Sequence, residues 1–228
     1  MDLLTDAWSF VTTTDNWSGP RGISARGRAH LWISLVATLL AAVLAIPPAI
    51  WLAHRRAAPV LSVAVVNIGR AVPSFAIIAL VLPLSIRYGF GLGFWPTCIA
   101  LVALGIPPMF TNAYTGVAAT PPELVEAARG MGMRGGQVLR GVELPSAMPL
   151  VLTGIRISAV QIVATATLGA LVGYDCLGTY IVQGLRQGSR GDVIVFVGAV
   201  LVASLAIVVE LVLDRLEPIV TPWARRVR

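Results

Sequence analysis

The sequence predicts an all-α polytopic membrane protein. Three observations carry that expectation. The chain of 228 residues is 57% hydrophobic, and its mean hydropathy is +0.82. Only 12% of its residues are charged, against about 25% in soluble domains. Its apolar runs are continuous and long enough for helices of about 20 residues. A membrane β-barrel would instead show short segments of alternating polarity, and a helix satisfies its own backbone hydrogen bonds in lipid.

Residues 1–30 read as a polar, partly amphipathic lead-in with Trp8 and Trp17 as interface anchors. Asp2, Asp6 and Asp15, and the lack of a basic start before an apolar core, argue against a cleaved signal peptide. The transmembrane domain is expected over 31–217 and a basic tail, with Arg225, Arg226 and Arg228, over 218–228.

The first span is placed at 31–53, between His30 and the His54-Arg55-Arg56 cluster. The second apolar stretch, 59–86, contains Asn67, Arg70 and Pro73. Proline removes a helix hydrogen bond, so this stretch reads as one broken helix, or as two shorter segments in a six-span alternative. A Gly-rich turn follows at 87–94, then a third span at 95–117 with Pro107-Pro108 kinking it. A polar loop occupies 118–146, a fourth span 147–172, a second polar loop 173–192 and a last span 193–213.

The net charge of +6 comes from arginine alone, since the sequence has no lysine. Arginines at span ends face anionic headgroups and set topology. No basic cluster interleaved with aromatics points to nucleic acid. Arg55 and Arg56, the loop with Arg129, Arg134 and Arg140, and the tail fall on one side with five spans, which assigns them to the cytoplasm. Arg21, Arg26 and Arg28 then lie on the outer side, against the rule. Cys98 and Cys176 have neither a CxxC nor a metal-ligand spacing and read as small apolar residues; both fall near the outer side, which leaves a disulfide open.

The polar loop carries the informative pattern. Thr120-Pro121-Pro122-Glu123 has the signature of a capping box with Thr120 as N-cap. A short helix should follow to about Arg129, with Leu124, Ala127, Ala128 and Met131 on one face. Gly130 or Gly132 should stop it, and a second short helix is expected over 136–141. Glu126-Ala127-Ala128, three residues, Gly132, nine residues, Val142, one residue and Leu144-Pro145 make up the spacing. It resembles the EAA loop of permease subunits of bacterial ABC importers, with Val142 where that family has Ile.

The resemblance extends further. Asn67 to Ala76, read NIGRAVPSFA, the EAARGMG form of residues 126–132, Thr165 to Gly173, and Leu177-Gly178 are similar to permeases for glycine betaine, choline and carnitine. Tyr174-Asp175-Cys176 departs from the small, Gly-rich turn of that group. The resemblance implies a five-helix importer core in the bacterial inner membrane, a second permease subunit, identical or homologous, and a separate solute-binding protein. It also implies two copies of a separate ATPase, because the sequence has no GxxxxGK[ST] loop to cradle ATP. The ATPase-coupling residues would be Glu123, Glu126, Ala127, Ala128, Gly132, Val142, Leu144 and Pro145.

Candidate pathway residues are Asn67, Arg70, Pro73, Ser74, Asn112, Gln161, Thr165 and Thr167, because polar groups and broken helices inside spans mark pathways. For Ser74, Thr165 and Thr167, bonding to their own or a neighbouring helix is the commoner role. Arg70 would suit the carboxylate of a zwitterion. Glu210 and Asp214 are expected to pair with Arg215 at a helix end. No catalytic set, metal ligand group or cofactor motif is visible. The alternatives are a permease for an amino acid such as methionine or proline and, from another class, a secondary transporter. The latter would need a buried acidic or histidine coupling site, and would leave the patterned loop unexplained.

Overall fold

The computed structural model describes residues 3–56 and 73–222. Nine α-helices are described: α1 (Leu3–Thr12), α2 (Ile23–His54), α3 (Ser74–Arg87), α4 (Phe94–Ala118), α5 (Pro122–Gly130), α6 (Gly135–Val138), α7 (Leu144–Thr165), α8 (Gly178–Arg186) and α9 (Asp192–Val220). A π-helical turn, Leu139–Glu143, joins α6 to α7, and a 3-10 stretch, Ala166–Val172, continues α7. Four helical stretches are long and apolar enough to cross a membrane: Ile23–His54, Phe94–Ala118, Gly135–Val172 and Asp192–Val220. At 1.5 Å per residue α3 covers only about 21 Å, short of a hydrocarbon core of about 30 Å.

Several boundaries differ from expectation. The first membrane helix starts at Ile23, inside the expected lead-in. Pro73 is the extended N-cap of α3 rather than a break within it, a position where its missing N–H costs nothing. The other residues of the second stretch before Pro73 lie outside the described residues. The fourth span has no loop before it: the helix is continuous from Gly135. Pro145 stands in the first turn of α7 and cannot donate to the preceding turn, and the wider π turn ahead of it accommodates that missing bond.

Close packing follows from a stripe of alanines. Ala37, Ala41, Ala45, Ala49 and Ala53 recur at every fourth position of α2, and all are buried. Leu35, Leu39, Val43, Leu44 and Trp51 are exposed. Small residues inside and large ones outside suit membrane helices, which gain little from hiding leucine from lipid. The stripe packs with Met109, Phe110, Ala113, Val117, Ala147 and Val151 of α4 and α7. Between α4 and α7, a Cβ at Gly154 would come 2.8 Å from Asn112 Cβ, and Ser158 Oγ donates to Gly105 O at 2.9 Å.

The two ends of the bundle are distinct. At one end, Gly93 N donates to Val172 O at 2.9 Å, and Tyr174 Oη donates to Ala29 O at 2.8 Å. At the other, Ala53, Ala118, Thr120 and Glu143 border a common cavity. His54 therefore lies at the end that carries α5, and Gly93 at the opposite end.

One of the arginines at the start of α2 has a local explanation. Arg26 is only 4% exposed, its Nε lies 2.9 Å from Asp175 Oδ1, and its guanidinium covers the Tyr180 ring at 4.4 Å. It is neutralised inside the protein and is not a headgroup contact. Cys98 and Cys176 are both free and buried.

Candidate functional site: the coupling segment

Helix α5 presents two faces. Val125 and Ala128 are buried against Val138, with Met133 and Val142 beside them. Leu124, Ala127 and Met131 lie on the opposite face, and Met131 is 78% exposed. The expected grouping of Leu124, Ala127, Ala128 and Met131 therefore divides: Ala128 turns inward, and the other three form an unpartnered stripe. Glu123 and Glu126 flank that stripe in solvent, and neither carboxylate forms an ion pair among the described residues. Glu123 in the first turn complements the helix dipole.

The expected capping box does not form. Pro121 is the N-cap and Pro122 the first helical residue, so Thr120 stands one position too early to reach the helix amides. Its Oγ1 is buried without a partner. At the other end the stop signal is Gly132, not Gly130. Gly132 has φ +86°, and its N–H donates to Arg129 O at 2.9 Å while Met133 N–H donates to Ala128 O at 3.1 Å. These paired bonds satisfy the last carbonyls of the helix and demand a left-handed residue between them. Met133 then folds back onto Ala128. The fixed glycine of the spacing is thus a geometric requirement, with open space around it.

The second short helix begins at Gly135, and its entry is closed by Gln137, whose Oε1 accepts from Arg134 N–H at 2.7 Å. Val142, Leu144 and Pro145 are half-buried and carry the segment into the bundle. Glu143, the unspecified position between Val142 and Leu144, is buried, and its Oε2 accepts from His54 Nδ1 at 2.5 Å. Neither residue stood out in the sequence, since the two are 89 positions apart.

The expected pathway residues are dispersed. Asn67 and Arg70 lie outside the described residues. Pro73 and Ser74 start α3. Asn112 donates its amide to Pro108 O at 2.8 Å on its own helix and sits at the α4–α7 contact. Thr167 donates to Ala164 O at 2.9 Å. Gln161 is exposed and Thr165 half-buried. These groups do not converge on one site within the described chain, and no cluster of metal-ligating side chains occurs among the described residues.

Charge gathers elsewhere, on the exposed side of the α7–α9 contact. Arg156 of α7 faces α9, where it pairs with Glu210 at 3.5 Å, Asp214 at 2.6 Å and Glu217 at 3.4 Å. Asp214 and Glu210 thus bind Arg156 of another helix instead of the expected Arg215. A lone arginine within an apolar run was the available signal. At the far end, burial pushes the Tyr174 phenol up to about 12 and the Cys176 thiol up to about 11. The departure at Tyr174-Asp175-Cys176 is structural: Tyr174 and Asp175 tie this loop to Ala29 and Arg26 of α2, while Cys176 Sγ donates to Ala166 O at 3.5 Å.

The family described as "Binding-protein-dependent transport system inner membrane component" matches residues 37–222. The chain belongs to that family. This permease is 38% identical over 197 residues, 86% of its own length and 87% of the relative's, to the carnitine transport permease protein OpuCB of Listeria monocytogenes. It is 36% identical over 193 residues, 85% and 86% of the two chains, to the glycine betaine/carnitine/choline transport system permease protein OpuCB of Bacillus subtilis. Identity to the osmoprotectant import permease protein OsmW of Salmonella typhimurium is 33% over 196 residues, 85% and 89% of the two chains. An inward-facing MetNI methionine ABC transporter chain superposes with a TM-score of 0.73 at 22% identity, covering 87% of this chain and 96% of that one. That likeness shows that the two chains share a fold. The permease is a multi-pass membrane transport subunit and not an enzyme.

Proposed function

We propose that this permease forms half of the translocation pathway of an ATP-driven importer for a compatible solute of the glycine betaine, choline or carnitine class. It sits in the bacterial inner membrane beside a second permease subunit, identical or homologous. A solute-binding protein delivers the solute from outside, and two copies of a separate ATPase work from the cytoplasm. Closure of the ATPases shifts the bundle between inward- and outward-facing populations through the coupling segments.

The observation that carries this reading is the split of α5: Val125 and Ala128 fix it to its own bundle, while Leu124, Ala127 and Met131 stay exposed. An apolar stripe on a short helix at a membrane protein's polar end fits helix-in-groove docking. Glu126, Gly132, Val142, Leu144 and Pro145 shape and position that helix, and Glu123 strengthens its first turn. The solute class follows from relatives at 33–38% identity over most of the chain.

The test is co-purification with the separate ATPase subunit, followed by solute uptake in proteoliposomes with the solute-binding protein. Leu124→Asp and Met131→Glu should release the ATPase while leaving the folded permease intact. Retention of the ATPase by both variants would overturn the docking assignment. Uptake of methionine in preference to glycine betaine, choline and carnitine would overturn the solute class.

A further inference from the structure

We infer that His54 and Glu143 form a positioning link that passes movement of the coupling segment into α2, and so sets how much solute moves per ATP hydrolysed. The inference rests on the proposed docking of an ATPase at α5. His54 is the last residue of α2, and Glu143 closes the π turn between α6 and α7. The 2.5 Å bond joins them where water is largely excluded: the Glu143 side chain is 8% exposed and that of His54 19%. Hydrogen bonds to a charged group in such surroundings are strong, and breaking them leaves a buried charge unmatched.

Both ring nitrogens of the imidazole face the same segment. Nδ1 faces Glu143, while Nε2 lies 3.5 Å from where a Cβ on Gly135 would stand. Helix α5 bears on this segment through Val125 and Ala128 against Val138 and Val142. A push on the exposed face of α5 therefore reaches the π turn, then Glu143, then His54. From there the alanine stripe of α2, with Ala53 and Ala49 in one core with Met109 and Val151, carries it into the bundle.

The junction around the pair is not close-packed. A cavity of about 340 Å³ lies between the end of α2, the end of α4 and the start of α5, and both Arg56 and Glu143 border it. Thr120 borders the same space, and its Oγ1 is buried without a partner among the described residues. Beside this space Ala49 and Ala53 pack with Ala147 and Val151, and the His54–Glu143 bond adds the polar tie between α2 and the π turn. The π turn beside it is an element often found at functional sites.

The experiment uses the full complex of permease, ATPase and solute-binding protein in proteoliposomes. Its variants are His54→Ala, Glu143→Ala, the double variant, Glu143→Gln and the exchange of His54→Glu with Glu143→His. All should keep the ATPase bound. Solute moved per ATP should fall roughly fivefold or more in each alanine variant, as coupling energies of this kind imply. The double variant should be no worse than either single one, the exchange should recover part of the loss, and Glu143→Gln should be intermediate. An unchanged ratio, losses that multiply in the double variant, or loss of the ATPase or of folded protein in the single variants would each overturn the link, the last in favour of a purely structural staple. A wild-type complex that binds no ATPase would refute the docking proposal itself, a separate failure.

Discussion

Arg26 at the start of α2 and Asp175 in the outer loop form an ion pair across 149 positions of sequence. Gln183 receives a second, longer bond from Arg26 at 3.4 Å, and Tyr180 supplies the aromatic face beneath it. Asp175→Ala would leave the buried guanidinium without its carboxylate. Asp175 is about half exposed, so the expected cost is about 1–3 kcal/mol, below that of breaking a fully buried pair. A lowered melting temperature in detergent would show it. Asp175→Asn should cost less, because the amide oxygen still accepts from Nε.

Gly132 and Gly130 should respond differently to the same change. Gly132→Ala forces a side chain into a left-handed backbone, which costs about 1–2 kcal/mol, while the open surroundings add no clash. The helix terminus should loosen and ATPase co-purification weaken, with the bundle's melting temperature nearly unchanged. Gly130→Ala meets no neighbour and lies inside α5, so it should be neutral or stabilise the helix by up to about 1 kcal/mol. Equal behaviour of the two variants would contradict the capping geometry.

Arg156 gathers three carboxylates on α9. Arg156→Met should leave Glu210, Asp214 and Glu217 facing one another without a counter-charge. Glu210 and Asp214 are about half exposed, so a loss of about 1 kcal/mol is expected, as for a screened charge network. Adding Glu210→Gln and Asp214→Asn to that variant should restore much of the melting temperature. No recovery would show that Arg156 acts through its apolar stem instead.

Alkaline pH should destabilise the outer loop. Cys176 and Tyr174 are acids raised by burial above ordinary values of 9.0 and 10.0. Their neutral forms favour the folded state, so the contribution is full below about pH 9 and is lost as pH rises through about 11 for Cys176 and about 12 for Tyr174. Melting temperature should fall between pH 9 and 12, and Cys176→Ala with Tyr174→Phe should flatten that decline. In the native protein the Cys176 thiol should resist maleimide at neutral pH.

Much of the fold was legible because lipid imposes simple demands. Long apolar runs had to be helices, and the third span was placed to within a residue at each end. Helix α5 was legible from its leading prolines and from Gly130 and Gly132, of which the structure makes Gly132 the stop. Its start was misread because two prolines shift the cap past Thr120. The inward turn of Ala128 was not legible, since alternate faces of a short helix look alike until one of them packs. Arg26 was read only as a charge near a span end, Glu143 and Arg156 did not stand out at all, and the partners of all three lie far away in sequence.

By itself the sequence determined the class of molecule, the order of its spans and the position of the coupling helix, because hydropathy, proline and glycine act locally. Tertiary structure alone decided that α2 reaches back to Ile23, that the alanine stripe is the bundle's seam, and that His54 meets Glu143. Those outcomes depend on which distant groups exclude water together, and nothing within a few residues of each encodes that.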